Sequence, residues 1–244
     1  NLPAANLQVN VDEEHSLLEV QASVYETRFL QFNLQLTAKY VFALGEPVIE
    51  VHDSVRNGSA TPAQMQMLYH INVGAPLLGS GSKLHLMTDR VVARNEHAAT
   101  DLSSWQTYLP PTTGYEEQVY FSAGQADQTG WARAVLESPD ASDGFAVHYH
   151  TENLPFFTQW KNTVAEADGY VTGLEPGTGF PNPRSFEFEN GRVLSLDAGQ
   201  SVDFQIKLEG LHGRQTVQSR LDSMAASSQI ATSEFDADWC TPRV

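Results

Sequence analysis

A histidine near the end of a strand-like segment is the first group in this chain suited to proton transfer. Segment 64–73 places His70 and Asn72 on one face, two residues apart, because side chains alternate along a strand. Gly74 and Pro76 then break the strand pattern. An imidazole at such a point can face a cleft and exchange protons near neutral pH. The alternative is a satisfied core histidine beside a turn-forming asparagine.

A glutamate before a loop rich in glycine and proline is the second candidate. Glu175 follows the apolar segment 170–174 and precedes loop 176–184, which contains Asn182 and Arg184. Glycines let the backbone approach a ligand closely, and a carboxylate beside a pocket can act as a general base. The alternative is a surface glutamate at a strand end, with Asn182 and Arg184 as ordinary loop residues.

An aromatic cluster that ends in a lysine is the third candidate. It contains Phe156, Phe157, Trp160 and Lys161. Aromatic rings stack on the apolar face of a sugar, while neighbouring polar groups bond its hydroxyls. The alternative is a buried core strand. The pattern favours the core interpretation for the two phenylalanines and leaves Trp160 open.

A pair of histidines on one strand face raises the question of a metal. Alternation puts His148 and His150 on the same side, a suitable geometry for a metal. No further ligand has a persuasive spacing, since Glu152 is the only nearby acid on that face. The sequence therefore predicts no metal site. It also contains no phosphate-binding glycine loop, nucleophile elbow or zinc-protease motif.

The elements that must position these groups are mostly strands. Apolar residues recur with period two, in segments separated by turn signals such as Asn57-Gly58, which is typical of an all-β sandwich. Val217, Leu221, Met224 and Ala225 have helical spacing and predict one minor helix near the C-terminus. The predicted strands cover 7–11, 17–24, 34–40, 48–51, 64–73, 83–87, 90–93, 116–121, 132–136, 145–150 and 201–208.

Two segments outside the strands carry their own predictions. Segment 98–114 contains Trp105, Tyr108 and two prolines, and its aromatic content indicates an ordered functional loop more than a linker. The tail 233–244 is acidic and then contains a proline. We expect it to lie over the surface without a fixed position.

Composition restricts the partners. The 244 residues include 14 Lys and Arg against 30 Asp and Glu, a formal net charge of −16. This excess of negative charge disfavours binding to nucleic-acid backbones and to anionic membranes. No apolar run approaches the ~20 residues of a membrane span. Cys240 is the single cysteine, which excludes an internal disulfide. No signal peptide is visible at Asn1, and we expect either that the start was processed or that this is a piece of a longer chain. The expected location is cytoplasmic.

Taken together, the segments resemble the aldose 1-epimerase (galactose mutarotase-like) superfamily, in a bacterial branch of aldose 1-epimerase-like proteins defined by a domain of unknown function. The resemblance rests on segments 70–78, 160–162, 173–178 and 181–184, and it extends from Asn1 to about Leu208. It implies an all-β fold, a β-supersandwich of large antiparallel sheets with a sugar cleft.

The resemblance also implies roles for individual residues. His70 would be the general acid and Glu175 the general base of an isomerase that interconverts the anomers of an aldose by ring opening. The implied substrate-binding residues are Asn72, Trp160, Lys161, Asn182 and Arg184. The implied partner is a small-molecule sugar, with no cofactor and no metal, for a monomer or homodimer.

Two other functions stay open at this point. One is a non-catalytic carbohydrate-binding protein on the same scaffold. The other is a lyase or isomerase in which Glu175 removes a carbon-bound proton.

The chain also departs from the family pattern at its start. Mutarotases use an arginine and a second histidine upstream of the first catalytic strand, before an Asn-x-Pro-Ala segment. This chain opens on Asn1-Leu2-Pro3-Ala4. The expectation is a single domain over 1–244 that lacks the N-terminal part of the family.

Overall fold

Strands make up most of the computed structural model, which describes residues 2–224 and 230–241. The strands are β1 (Ala4–Asp12), β2 (Leu17–Arg28), β3 (Phe32–Ala43), β4 (Val48–Asn57), β5 (Ala63–Met65), β6 (Ile71–Gly74), β7 (Lys83–Leu86), β8 (Arg90–Ala93), β9 (Gln118–Ala123), β10 (Trp131–Glu137), β11 (Asp143–His150), β12 (Phe156–Asn162), β13 (Val171–Gly177), β14 (Leu194–Leu196), β15 (Ser201–His212) and β16 (Ala231–Ser233). The helices are α1 (Glu96–Ala99), α2 (Arg184–Glu189) and α3 (Arg214–Ser223), with 3-10 turns at Leu102–Ser104 and Glu166–Asp168.

Two large sheets form the body of the structure. The first has eight antiparallel strands in the order β1-β2-β3-β4-β15-β11-β10-β7. The second has six, in the order β16-β8-β9-β12-β13-β6, and only its β16–β8 pair is parallel among the described strands. β5 and β14 form a separate pair. The all-β prediction is confirmed.

The core lies between the two sheets and follows from the period-two pattern. Val51 and Ile206 point inward from the eight-stranded sheet, and Tyr120 and Leu174 point inward from the other. Burying such apolar side chains contributes roughly 1.5–3 kcal/mol each. Five strands of the six-stranded sheet, all but β16, therefore turn one face to this core, and we call the opposite face of the sheet its free face.

The strand predicted over 64–73 is wrong as a single element. It divides into β5, which pairs with β14, and β6, which pairs with β13. Residues 66–70 connect these two sheets, so His70 lies just before β6 and not inside a continuous strand.

The predicted helix is present as α3. Its Val217 is buried against Val135, Ala146 and Leu211 on the outer face of the eight-stranded sheet. Ala225, which belonged to the predicted helical pattern, lies outside the described residues.

The expectation of a tail without a fixed position is wrong for the described part. Cys240 is fully buried, and Trp239 packs against Phe180. Asp236 forms an ion pair with Arg90 at the start of β8. The tail therefore covers part of the free face of the six-stranded sheet.

The helices within the described ranges are all too short or too polar to cross a membrane.

Candidate functional site

Strand register brings the main candidates to the free face of the six-stranded sheet. Asn72 of β6 lies opposite Gly173 of β13, which lies opposite Trp160 of β12. Residues paired in this way share a face, and Glu175 and His70 are each two positions further along. Strand register therefore brings together the predicted Asn72, Trp160 and Glu175, and His70 joins them from the segment just before β6.

His70 and Glu175 form the centre of the site. Nε2 of His70 lies 3.0 Å from Oε1 of Glu175, and the side chains are 47% and 3% exposed respectively. Although the distance is short, the pair lacks the alignment of a hydrogen bond, and Oε1 has no donor among the described residues. Buried carboxylate oxygens normally have partners. The pair thus combines an accessible imidazole with an unsatisfied buried carboxylate.

Burial controls the protonation of this carboxylate. It raises the pKa of Glu175 to about 7, because the charged form loses hydration, and the negative charge of Glu117 raises it further against the opposing effect of Arg94. A pKa near 7 lets one carboxyl group both accept and release a proton at neutral pH. A perturbed carboxylate beside an accessible histidine is typical of a functional site.

Gly173 gives the two groups room to meet. A Cβ at this position would contact Oε1 of Glu175 and lie 3.2 Å from Cε1 of His70. Any larger side chain would displace the carboxylate. The glycine is required here for close approach, not for an unusual backbone conformation.

Trp160 forms the wall beside the pair. Its ring meets the His70 ring edge-on, with centroids 5.4 Å apart. Its Nε1 donates to Oε2 of Glu117 at 2.6 Å, and Arg94 donates to the other oxygen of Glu117 at 2.9 Å. The indole is therefore held in one orientation.

Glu117 and Arg94 are functional candidates that the sequence analysis missed. Glu117 is two residues before Val119, and Arg94 is two residues after Val92. Both valines lie on the free face of the sheet. Period-two alternation was thus a usable signal for these positions, but it required knowing that β9 lies between β8 and β12 in the sheet.

Lys161, predicted to bind substrate, does not join this site. It follows Trp160 along β12, so its side chain points to the opposite face and is buried. Nζ donates to the carbonyl oxygens of Trp105 and Thr107, at 3.1 and 2.8 Å. Burial lowers its pKa to about 8. Lys161 anchors the ordered loop 98–114 on the core side.

Asn182 and Arg184 also lie apart from the His70–Glu175 pair. Nδ2 of Asn182 donates to Glu187 and to the carbonyl of Trp239, at 2.8 and 2.9 Å. Arg184 is exposed at the start of α2 and lines a different cavity, next to Gln31. In this structure their contacts are those of loop residues.

The pair His148 and His150 forms no metal site with its neighbours. Nε2 of His148 lies 2.8 Å from Glu209, and the His150 ring packs edge-on against Trp131. Within residues 2–224 and 230–241, no group of three His, Cys, Asp or Glu side chains is arranged to hold a metal ion.

The shifted carboxyl group predicts a pH-dependent gain in stability for Glu175→Gln. The pKa of Glu175 is about 7 in the folded state, against an ordinary 4.5. Ionisation of Glu175 therefore lowers the stability of the native protein, an effect that begins above pH 4.5 and reaches its full size above pH 7. Glutamine removes this cost. Urea unfolding should show the variant gaining about 2–3 kcal/mol over wild type between pH 5 and pH 8. The exposed Glu189→Gln serves as control, and wild type and Glu175→Gln curves that run parallel would refute the prediction.

The two large antiparallel sheets place this protein in the class with the galactose mutarotase-like fold. Residues 1–209 match the model of the family described as Domain of unknown function (DUF4432). The chain belongs to this family. Comparison with curated proteins finds no match.

Solved structures support the same class. A candidate aldose 1-epimerase from Klebsiella pneumoniae matches with a TM-score of 0.93 and 28% identity, over 96% of this chain. The chain spans 62% of that protein's length. A galactose mutarotase-like protein from Clostridium acetobutylicum (TM-score 0.60, 14% identity, 87% of this chain and 67% of that one) shares the fold. So does a candidate aldose 1-epimerase from Escherichia coli K12 (0.58, 15%, 85% and 69%). The resemblance stated from the sequence is confirmed.

Proposed function

We propose that this protein interconverts the anomers of an aldose, or of an aldose derivative, by acid–base ring opening. The observation that carries the proposal is the His70–Glu175 pair, an accessible imidazole 3.0 Å from a buried carboxylate whose pKa is raised to about 7. The names given to the matched Klebsiella and E. coli proteins point to the same reaction.

The proposed reaction needs only proton transfers. Glu175 takes the proton of the anomeric hydroxyl while His70 gives a proton to the ring oxygen. The bond between C1 and the ring oxygen breaks, and the C1–O1 bond becomes an aldehyde. C1 then rotates, and reclosure with the reverse proton transfers yields the other anomer. Both reacting oxygens are bonded to C1, so an acid and a base close together on one face suit this geometry.

Two neighbours would hold the sugar. The ring of Trp160 offers an apolar surface for the sugar C–H groups, and it is fixed by its bond to Glu117. Asn72 is exposed on the same face and offers an amide to the hydroxyls. Lys161 contributes to the loop behind the strand and not to the sugar.

Exchange spectroscopy tests the proposal directly. Pure anomers of a panel of neutral aldoses are dissolved with the protein, and NMR or polarimetry follows their equilibration. Faster equilibration of at least one sugar than in buffer supports the proposal. Binding of the panel by calorimetry with no acceleration would contradict catalysis and support the carbohydrate-binding alternative.

The pH profile should respond to Glu117. Because the negative charge of Glu117 raises the pKa of Glu175, Glu117→Gln should lower it. Catalysis needs the ionised base, so activity in wild type should fall as the pH drops through about 7. In Glu117→Gln this acidic limb of the rate profile should move to lower pH. Rate profiles at fixed ionic strength measure the effect, with the exposed neighbour Glu116→Gln as control. An unmoved limb would mean that Glu117 exerts no such influence.

A further inference from the structure

A cavity lies on the outer face of the eight-stranded sheet, away from the His70–Glu175 pair. It has a volume of about 460 Å³, within the range of about 300–1,000 Å³ seen for ligand sites. Strands β4, β10, β11 and β15 form its floor, and α3 contributes Arg220 at one side. The lining includes Trp131, Arg133, His148, Lys207, Glu209 and Arg220.

One wall of this cavity is an oriented aromatic ring. Trp131 is half-buried, and the His150 ring packs against it edge-on with centroids 5.4 Å apart. The ammonium of Lys207 lies 5.5 Å from the ring centroid. Ala43 and Val48 add further apolar lining. The cavity therefore combines an aromatic ring, over which the Lys207 ammonium lies, with further apolar lining.

Hydrogen bonds and ion pairs join the polar side chains of the lining to one another. Nε of Arg133 donates to Nδ1 of His148 at 3.2 Å, so the ring proton of a neutral His148 lies on Nε2. That nitrogen is 2.8 Å from Oε2 of Glu209. The other oxygen of Glu209 accepts from Arg220 at 2.7 Å, and Lys207 donates to Glu50 at 2.6 Å. These contacts hold the polar groups in place before any ligand arrives.

The charges of the lining balance. Arg133, Lys207 and Arg220 supply three positive groups, and Glu46, Glu50 and Glu209 supply three negative ones. An anion would meet the three carboxylates, and a cation would meet the three basic groups. A neutral molecule whose groups both donate and accept hydrogen bonds can use both kinds.

The lining also has unused donors. Nε of Arg220 is buried and has no acceptor among the described residues. An unsatisfied buried donor is destabilising. The ammonium of Lys207 has three donors, and Glu50 takes one of them. Hydroxyl oxygens would supply acceptors for these groups, while hydroxyl protons would reach Glu50 and Glu209.

We propose that this cavity binds a neutral saccharide of one or two sugar units, separately from the His70–Glu175 site. The sugar's apolar face stacks on Trp131, and its hydroxyls bond to Lys207, Glu50 and Glu209. This proposal does not rest on the proposed catalytic function, because none of these residues belongs to that site.

Residue-resolved NMR tests the proposal. Neutral hexoses and disaccharides, namely glucose, galactose, maltose and lactose, are titrated while the indole N–H of Trp131 and the ring of His148 are observed. The titration uses the full chain carrying Trp160→Ala, a change chosen to weaken any binding at the His70–Glu175 site. At least one sugar should shift both signals in a saturable manner, and glucuronate and glucosamine should bind more weakly.

Variants of the cavity complete the test. Trp131→Ala should weaken saccharide affinity at least tenfold, and Lys207→Met, at a partly exposed side chain, should weaken it in a chain that keeps its fold. Neither should alter anomer exchange. The proposal is overturned if no sugar in the panel moves the Trp131 and His148 signals. It is equally overturned if the charged sugars bind more tightly, or if binding survives both variants.

Discussion

Glu175→Gln is expected to slow anomer interconversion by about 10²–10⁴-fold, the usual contribution of a general base. Glutamine keeps the size of the side chain but cannot accept the proton of the anomeric hydroxyl. Sugar affinity should change little, since stacking on Trp160 is untouched. Magnetisation transfer between the two anomeric signals measures the rate, and calorimetry measures binding.

The control for this experiment is Glu189→Gln, an exposed change of the same chemistry on α2. A Glu175→Gln variant with the wild-type exchange rate would remove Glu175 from the mechanism. Running the reaction in heavy water separates a different chemistry, because ring opening leaves C–H bonds intact. Deuterium appearing on sugar carbon would instead indicate abstraction of a carbon-bound proton.

Arg192→Met is expected to lower the free energy of unfolding by about 3–5 kcal/mol, the cost of removing one partner of a buried ion pair. Arg192 and Glu187 are 6% and 0% exposed. Two short bonds join them, Nε to Oε2 at 2.7 Å and Nη2 to Oε1 at 2.8 Å. Without Arg192 the carboxylate stays buried and loses its counterion.

The same carboxylate organises the loop after Glu175. It accepts from the backbone N–H of Phe180 at 2.9 Å and from Asn182 at 2.8 Å. The guanidinium of Arg192 also lies 5.3 Å from the Phe180 ring. Loss of the pair should therefore loosen segment 178–183 as well as lower stability.

Chemical denaturation measures this effect, and Arg184→Met is its matched control. Arg184 is exposed, and a surface change of this kind usually stays within about 0.5 kcal/mol. Equal losses in the two variants would show that the buried pair has no special role. Hydrogen exchange of the Phe180 amide reports on the loop separately.

The sequence was sufficient for the parts of the fold that depend on period two. Alternation predicted the all-β class, most strands, and the shared face of His70 and Asn72. It failed at 64–73, because a strand pattern does not reveal that residues 66–70 cross between two sheets. The position of Cys240 was equally hidden, since it depends on packing against a distant part of the chain, as the contact of Trp239 with Phe180 shows.

Site residues could be predicted when the pattern of their own segment was enough. They could not be predicted when their placement depends on a contact with a neighbouring strand. His70, Trp160 and Glu175 were predicted from their own segments, and the structure brings them together. Lys161 was misplaced because closeness in sequence to Trp160 means opposite faces in a strand. Glu117 was missed because its contact with Trp160 joins residues 43 positions apart.

The alternation along β12 sets a limit on how this chain changes length during evolution. Trp160 faces the site, and Lys161 faces the core. One inserted or deleted residue would exchange these faces, leaving an ammonium beside Glu175 and an indole where two carbonyls need donors. A single substitution in β12 has a local effect, but a change of one residue in its register alters the site and the core together. Changes of length should therefore collect at turns such as Gly169, where the space around the backbone is open.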